Sequence, residues 1–162
     1  MHIQHITIQS PLGLIRISGT TDFISEVKFC APSEVEYESK NELLLACKIQ
    51  LDEYFNGTRQ TFQLPLQASG TVFQHKVWTL LQQIPFGQLS TYGQLAHQLN
   101  MNSGSSRAVG LANGKNPIAI IIPCHRVIGQ NGNLTGYAGG VWRKQWLLEH
   151  ERKNSPMNGV LF

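Results

Sequence analysis

Cys124 has the strongest local signs of chemical reactivity in this chain. It follows Pro123 and the apolar run 118–122, and His125 and Arg126 come directly after it. Neighbouring cations lower the pKa of a thiol and enrich the thiolate, which is the nucleophilic form. We therefore interpret Cys124 as a reactive nucleophile. The alternative is a buried, inert cysteine, which is the usual state of a free thiol.

Other kinds of catalytic site are poorly supported. The sequence has no C-x-x-C pair, no H-E-x-x-H pair and no glycine-rich phosphate loop, so we expect neither a metal nor a nucleotide cofactor. No Asp or Glu occurs between Glu53 and Glu149, which excludes paired-carboxylate chemistry from the middle of the chain. A cysteine hydrolase that recruits a distant histidine, such as His75 or His97, stays open at this point.

Arg107 is the second residue of interest. It lies in a predicted short helix at 105–113, among the small residues Ser105, Ser106, Ala108, Gly110 and Ala112. A preceding short helix at 92–99 and a connector containing Gly104 complete a candidate helix-turn-helix. Small residues allow a helix to approach another surface closely, and one long cation among them could reach a phosphate or a DNA groove. The alternative is an ordinary solvated arginine.

Charge is divided unevenly along the 162 residues. Residues 1–70 hold five Lys or Arg and eight Asp or Glu, whereas residues 71–162 hold eight and two. A basic half of this kind is typical of a domain that binds a polyanion. A surface rich in uncharged Gln and Asn would give a similar distribution of charge.

Composition indicates a folded protein of the reduced cytoplasm. The charged fraction is 14% and the hydrophobic fraction 41%, which argues against disorder. No apolar run approaches the roughly 20 residues of a membrane span, and the N-terminus has no signal-peptide pattern. The odd number of cysteines, three, does not suit a secreted disulfide framework.

The chain pattern predicts an α/β fold in two domains, 1–66 and 67–162. Strands are expected at 3–9, 14–18 and 24–29, as an antiparallel meander, with a helix over about 36–56 and a further strand at 61–66. Helices are expected at 72–83, 92–99, 105–113 and 141–152, with Thr91 as a helix cap. The β-branched run 118–122 predicts a buried strand or extended segment, and 129–133 a turn.

Several motifs, in order, identify a family. The chain resembles the O6-alkylguanine-DNA alkyltransferases, most closely the bacterial Ogt-type members. The resemblance extends over about residues 70–151 and rests on Ile84-Pro85-Phe86-Gly87, Thr91-Tyr92-Gly93-Gln94-Leu95-Ala96, Arg107-Ala108-Val109-Gly110, Asn116-Pro117, Pro123-Cys124-His125-Arg126-Val127, Gly136-Tyr137-Ala138-Gly139-Gly140 and Trp146-Leu147-Leu148-Glu149-His150-Glu151.

The resemblance implies both a fold and an activity. It implies an N-terminal ribonuclease H-like antiparallel sheet plus helix, and a mostly helical C-terminal domain with a helix-turn-helix. It also implies a monomeric repair protein that needs no cofactor. Such a protein binds double-stranded DNA through the minor groove, flips out O6-alkylguanine (with O4-alkylthymine as a further expected substrate), and transfers the alkyl group to its own cysteine.

The resemblance also assigns roles to individual residues. Cys124 is the alkyl acceptor, His125 and Glu151 activate its thiol through a water, and Tyr92 helps to protonate the guanine. Arg107 fills the place that the flipped base leaves. The remaining expected DNA contacts are Thr91, Ser106 and Ala108, and the expected pocket and hinge residues are Asn116, Val127, Tyr137, Ala138 and Lys144.

Two further expectations follow. Some family members carry a zinc site in the N-terminal part, but Cys30 and Cys47 do not form a recognisable ligand set, so we predict none. Alkyl transfer to sulfur forms a thioether, which thiol–disulfide exchange cannot reverse, so we predict one turnover per molecule. A lesion binder that lacks the acceptor cysteine is the non-enzymatic alternative, and the presence of Cys124 argues against it.

Overall fold

A computed structural model describes residues 2–134 and 136–155, so Met1, Thr135 and residues 156–162 lie outside the description. The chain divides into two units. The first comprises residues up to Ser69 together with Pro117–Ala119, and the second comprises Gly70–Asn116 and the residues from Ile120 onward. The sequence placed the boundary after Leu66 and did not anticipate the excursion at 117–119. That excursion exists because the Val27 amide donates to Pro117 O and the Ala119 amide donates to Val27 O, both over 3.0 Å.

An antiparallel meander forms the sheet of the first unit, as predicted. Its strands are β1 (Gln4–Ser10), β2 (Gly13–Gly19) and β3 (Ile24–Phe29), in that order. Other segments of the same unit pair with each sheet edge at a few positions, which reduces the number of unpaired backbone groups that make edges prone to aggregation. Thr7 of β1 bonds to the backbone of Tyr37, and Ile24 of β3 forms a bridge with Leu66. The expected strand at 61–66 is therefore reduced to this single bridge.

Helix α1 (Glu42–Phe55) starts later than the sequence predicted. Asn41 caps it, with Oδ1 accepting from the amides of Leu43 (2.9 Å) and Leu44 (3.1 Å). Residues 36–41 are not helical because the backbone of Tyr37 is held by Thr7. The prediction of a helix from residue 36 was wrong for this reason: a tertiary hydrogen bond competes with the helical backbone bonds.

The described part of the second unit is built around four α-helices. They are α2 (Val72–Leu81), α3 (Tyr92–Gln98), α4 (Ser106–Gly114) and α5 (Val141–Lys153). Helices α3 and α4 pack together and form the predicted helix-turn-helix. A short parallel pair, β4 (Ser90–Thr91) and β5 (Val127–Ile128), adjoins them. Thr91 caps α3 as expected, since its Oγ1 accepts from the Gln94 amide at 3.1 Å. In the described ranges, no helix has both the length and the apolar character to cross a membrane.

The segment 118–122 does not form the expected strand. Ile118 makes an isolated bridge with Val27, and the chain then turns, with Ile120 at a φ of 72°. That region is unfavourable for a β-branched residue, so the surrounding packing must hold it. The Cys124 amide then donates to Ile122 O over 2.8 Å, a tight turn about Pro123. The apolar run is thus a buried turn that leads directly into Cys124.

Candidate active site

Cys124 begins a short 3-10 turn, Cys124–Arg126, that leads into β5. The residue is only 6% exposed. The side chain of Asn116, just after α4, hydrogen-bonds to its thiol, and Asn116 Nδ2 also donates to Ile122 O over 2.8 Å. Asn116 therefore fixes both the thiol and the turn that precedes it.

Burial raises the pKa of the Cys124 thiol, because the charged thiolate loses solvation. The hydrogen bond from Asn116 and the positive charge of Lys144 oppose this effect. The sequence argument that His125 and Arg126 supply the activating charge was wrong. Both side chains bind a carboxylate instead, and the cation that acts on the thiol is Lys144, on α5.

That carboxylate is Glu151, which is completely buried and accepts four hydrogen bonds. His125 Nε2 lies 2.7 Å from Oε2, Arg126 donates from Nε (2.8 Å) and Nη2 (3.0 Å), and the Gly87 amide donates over 3.3 Å. Burial opposes ionisation of Glu151, but His125 and Arg126 outweigh it and hold the pKa of the carboxyl well below its usual range. Arg126 Nη1 also donates to Ile84 O over 2.7 Å, which ties the 84–87 turn to this cluster.

His125 is neutral in this environment. Burial lowers its pKa, and the attraction of Glu151 only partly compensates. Because an ionised carboxylate can only accept, the imidazole proton lies on Nε2 and Nδ1 carries the lone pair. Nδ1 is buried without a hydrogen-bond partner among the described residues. The arrangement leaves a basic nitrogen in the residue next to the candidate nucleophile.

Three further side chains interact electrostatically with the thiol. Lys144 is fully buried, and burial lowers its pKa to about 8, against the opposing attraction of the Cys124 thiolate. Its Nζ lies 5.9 Å from the ring centroid of Tyr92. Burial and the charge of Cys124 raise the pKa of Tyr92 and Tyr137, so both phenols stay protonated.

A surface groove opens along α4. Its volume is about 540 Å³, and its lining residues are Tyr92, Ser106, Arg107, Gly110, Leu111, Gly114, Lys115 and Gly136. Arg107 and Ala108 are exposed, as a surface contact requires. Tyr92 belongs both to this groove and to the surroundings of Cys124, so the helix-turn-helix and the candidate nucleophile share a residue.

Two family profiles match almost the whole chain. The 6-O-methylguanine DNA methyltransferase ribonuclease-like domain matches residues 3–68, and the DNA binding domain of the same proteins matches residues 72–153. The chain belongs to the 6-O-methylguanine DNA methyltransferase family. The resemblance inferred from the motifs is thereby confirmed.

Similar proteins agree with this membership of the methyltransferase family. The methylated-DNA–protein-cysteine methyltransferase of Mycobacterium tuberculosis is 42% identical over 99% of both chains. That of Shigella flexneri is 58% identical over 103 residues, 63% of this chain and 60% of the relative. The solved Mycobacterium tuberculosis O6-methylguanine methyltransferase has a TM-score of 0.85 at 41% identity over 96% of both chains. A structure of Mycobacterium tuberculosis OGT in complex with DNA has a TM-score of 0.84 at 40% identity, covering 95% of this chain and 96% of that one.

The structure places three other residues that the sequence singled out as follows. Val127 is fully buried in β5, and the hydroxyl of Thr91 is used as the helix cap. Ala138 is exposed in the loop before α5.

Cys30 and Cys47 are buried and free, and burial raises the pKa of the Cys47 thiol to about 12. Within 2–134 and 136–155, no group of three or more His, Cys, Asp or Glu could hold a metal ion.

Sequence reasoning missed Asn113. It lies on the buried face of α4, where its Nδ2 donates to Cys124 O over 3.3 Å and its side chain hydrogen-bonds to Tyr92. The signal was present, because Asn113 follows the buried Val109 by four residues and so points into the core. A polar side chain at such a position needs partners, and here the partners are Cys124 and Tyr92.

Proposed function

We propose that this protein transfers an alkyl group from O6 of guanine in double-stranded DNA to Sγ of its own Cys124. The observation that carries the proposal is the surroundings of that sulfur, where Asn116 bonds to the thiol, Lys144 supplies positive charge, and the Tyr92 phenol faces both the thiol and an open groove. The names of the methylated-DNA–protein-cysteine methyltransferases that it resembles support the same substrate and acceptor.

The first step removes the thiol proton. The lone pair on His125 Nδ1 is the base, reached through a water, and Glu151 holds the imidazole in the tautomer that leaves Nδ1 free to accept. The resulting thiolate is stabilised by Lys144 and by the hydrogen bond from Asn116. Arg126 acts through Glu151, which it keeps ionised, and is a positioning residue.

The second step is displacement at carbon. The sulfur–carbon bond forms as the carbon–O6 bond breaks, and the bonding electron pair leaves with the guanine, which takes up a proton. Tyr92 is the proton donor, since its phenol is protonated and lies beside the groove. Lys144 stabilises the negative charge first on sulfur and then on the phenolate. The product is a thioether, so each molecule reacts once.

DNA binding uses the α3–α4 helix-turn-helix in the minor groove. Arg107 is exposed on α4 and long enough to replace the base that is flipped out, and the small neighbours Ser106 and Ala108 permit close approach. Flipping costs a few kcal/mol, which an inserted side chain partly offsets. Asn116, Val127, Tyr137 and Ala138 form the pocket and its hinge. The protein acts as a monomer without a cofactor, and all three of its cysteines are free, as expected in the cytoplasm.

The test is intact-protein mass spectrometry after incubation with a duplex that contains O6-methylguanine. The expected result is one added methylene mass per molecule, located in the peptide that contains Cys124. The Cys124→Ser variant should bind the duplex and gain no mass. Turnover of excess substrate by substoichiometric protein, as in a hydrolase, would contradict the proposal, and so would an unmodified Cys124.

A further inference from the structure

Leu111 is an exposed apolar residue on the helix that carries Arg107. The residue is 65% exposed, and it is a large apolar residue in a helix whose other residues are mostly small. A single exposed leucine is ordinary on a protein surface, so its place in the groove beside Arg107, and not its exposure alone, points to a contact. The function proposed above assigns no role to this residue.

Three exposed residues of α4 and its C-terminal end follow one another at helical spacing. Arg107, Leu111 and Lys115 are each four residues apart, which puts them along one face, and all three line the same 540 Å³ groove. Gly110 lies beside this face, and a Cβ there would be 3.8 Å from the ring of Tyr92. The face therefore presents an apolar side chain between two cations, next to the residue that connects the groove to Cys124.

This combination fits the minor groove of DNA better than it fits an apolar protein surface. The positive charge of Lys115 complements phosphates, Arg107 is the residue proposed to enter the base stack, and the unit that contains both has no acidic residue before Glu149. The walls of the minor groove are deoxyribose rings, which offer apolar surface, and minor-groove proteins insert leucine and similar side chains there. Resting on the proposed function, we propose that Leu111 is an apolar wedge that packs in the minor groove one helical turn from Arg107.

The proposal makes a prediction that separates Leu111 from its charged neighbours. A contact between a cation and a phosphate releases counterions, so its loss lowers the slope of log affinity against log salt by about 0.9. An apolar contact releases no counterions, so its loss lowers log affinity by the same amount at every salt concentration and leaves the slope unchanged. Leu111→Ala should therefore weaken duplex binding by about tenfold at every salt concentration, from the apolar area that it withdraws. Lys115→Ala should reduce the slope.

The experiment titrates the full-length protein with a methylated duplex over a series of salt concentrations, in a Cys124→Ser background that prevents reaction. Val72→Ala is the matched control, because Val72 is 75% exposed in the same unit but lies outside this groove. It should leave binding unchanged. Leu111→Met, which keeps an apolar side chain of similar size, should bind like the parent. With Cys124 present, Leu111→Ala should react with free O6-benzylguanine at the wild-type rate.

Three results would overturn the proposal. Affinity of Leu111→Ala within twofold of the parent would show that the side chain makes no contact, and a changed salt slope would show an electrostatic effect instead. An equal loss of reaction with free O6-benzylguanine would show damage to the reactive site. The first two results are measured in the Cys124→Ser background and do not depend on alkyl transfer, so the wedge and the proposed transfer can fail separately.

Discussion

The side-chain amide of Asn113 donates a hydrogen bond to the backbone oxygen of Cys124 over 3.3 Å. The same side chain hydrogen-bonds to Tyr92, while its Oδ1 is buried without a partner among the described residues. Asn113 is on α4, whose opposite face exposes Arg107. One amide therefore links the helix of the proposed DNA surface to both the proposed nucleophile and the proposed proton donor.

We expect Asn113→Ala to slow methyl transfer without weakening DNA binding. The substitution removes a donor from Cys124 O and a partner from Tyr92, and an unmade buried hydrogen bond costs about 1–3 kcal/mol. If that cost falls on the transition state, the single-turnover rate at saturating methylated duplex falls by roughly tenfold to a hundredfold. Rapid-quench kinetics measures this rate.

The control for Asn113→Ala is Asn56→Ala, the same change at an exposed position in the first unit. It should leave both the rate and the affinity unchanged. A weaker duplex affinity of Asn113→Ala with an unchanged rate would contradict the positioning role, because it would place the residue in binding alone.

The parts of the site that the sequence predicted are those encoded locally. Pro123-Cys124-His125-Arg126-Val127 is contiguous, so it marks the proposed nucleophile without knowledge of the fold. The strands of the meander alternate, and Thr91 with Gln94 forms a capping box that marks the start of α3. These patterns depend on neighbours within a few residues, and the structure confirms the strands and the helix cap.

The parts that the sequence did not predict depend on contacts between distant residues. From the sequence, His125 and Arg126 are expected to act as cations on the thiol. In the structure both side chains bind Glu151, which lies on α5. The pattern at 118–122 favours a strand, yet Ile120 adopts a positive φ because the chain must turn there to reach Cys124. In both cases tertiary packing overrides the local structural preference, and no residue nearby in the sequence indicates that it will.

Lys144 should control the pH dependence of the reaction. Its positive charge lowers the pKa of the Cys124 thiol, in opposition to burial, so Lys144→Met should raise that pKa. Less thiolate then forms at pH 7, and the rate with free O6-benzylguanine falls roughly tenfold or more. The rate profile moves to higher pH. Because free O6-benzylguanine is a substrate without DNA, effects of the substitution on duplex binding do not enter this measurement.

Lys153→Met is the matched control for charge removal, because Lys153 is exposed in the last turn of the same helix. Its pH profile should coincide with that of the wild type. A Lys144→Met profile that falls in amplitude but keeps its midpoint would show that Lys144 acts on a later step than thiol ionisation.

Arg126 should be important for stability. Arg126→Met removes the bidentate guanidinium partner of the buried Glu151, and breaking a buried ion pair in this way costs about 3–5 kcal/mol of unfolding free energy. Arg59→Met breaks the Arg59–Glu53 pair, whose side chains are 26% and 43% exposed, and should cost less than about 1 kcal/mol. Urea unfolding followed by far-UV circular dichroism measures both. Similar losses for the two variants would mean that Glu151 does not depend on Arg126 for its charge.

His125 should make the second unit less stable in mild acid. Burial lowers its pKa in the folded state, so below its unfolded pKa of about 6.5 the unfolded chain takes up a proton that the folded chain does not. Unfolding free energy should therefore fall between pH 7 and pH 5, by up to about 1.4 kcal/mol per pH unit. Glu151 has a lowered folded pKa, so its contribution is lost only as the pH falls below about 4.3, outside this window.

All three tryptophans, Trp78, Trp142 and Trp146, lie in this unit, so urea unfolding followed by tryptophan fluorescence reports on it alone. His125→Asn should flatten the pH dependence, whereas His97→Asn, at an exposed position on α3, should keep it. An unchanged slope in His125→Asn would mean that His125 has the same pKa in the folded and the unfolded chain, so that burial does not keep it neutral in the folded protein.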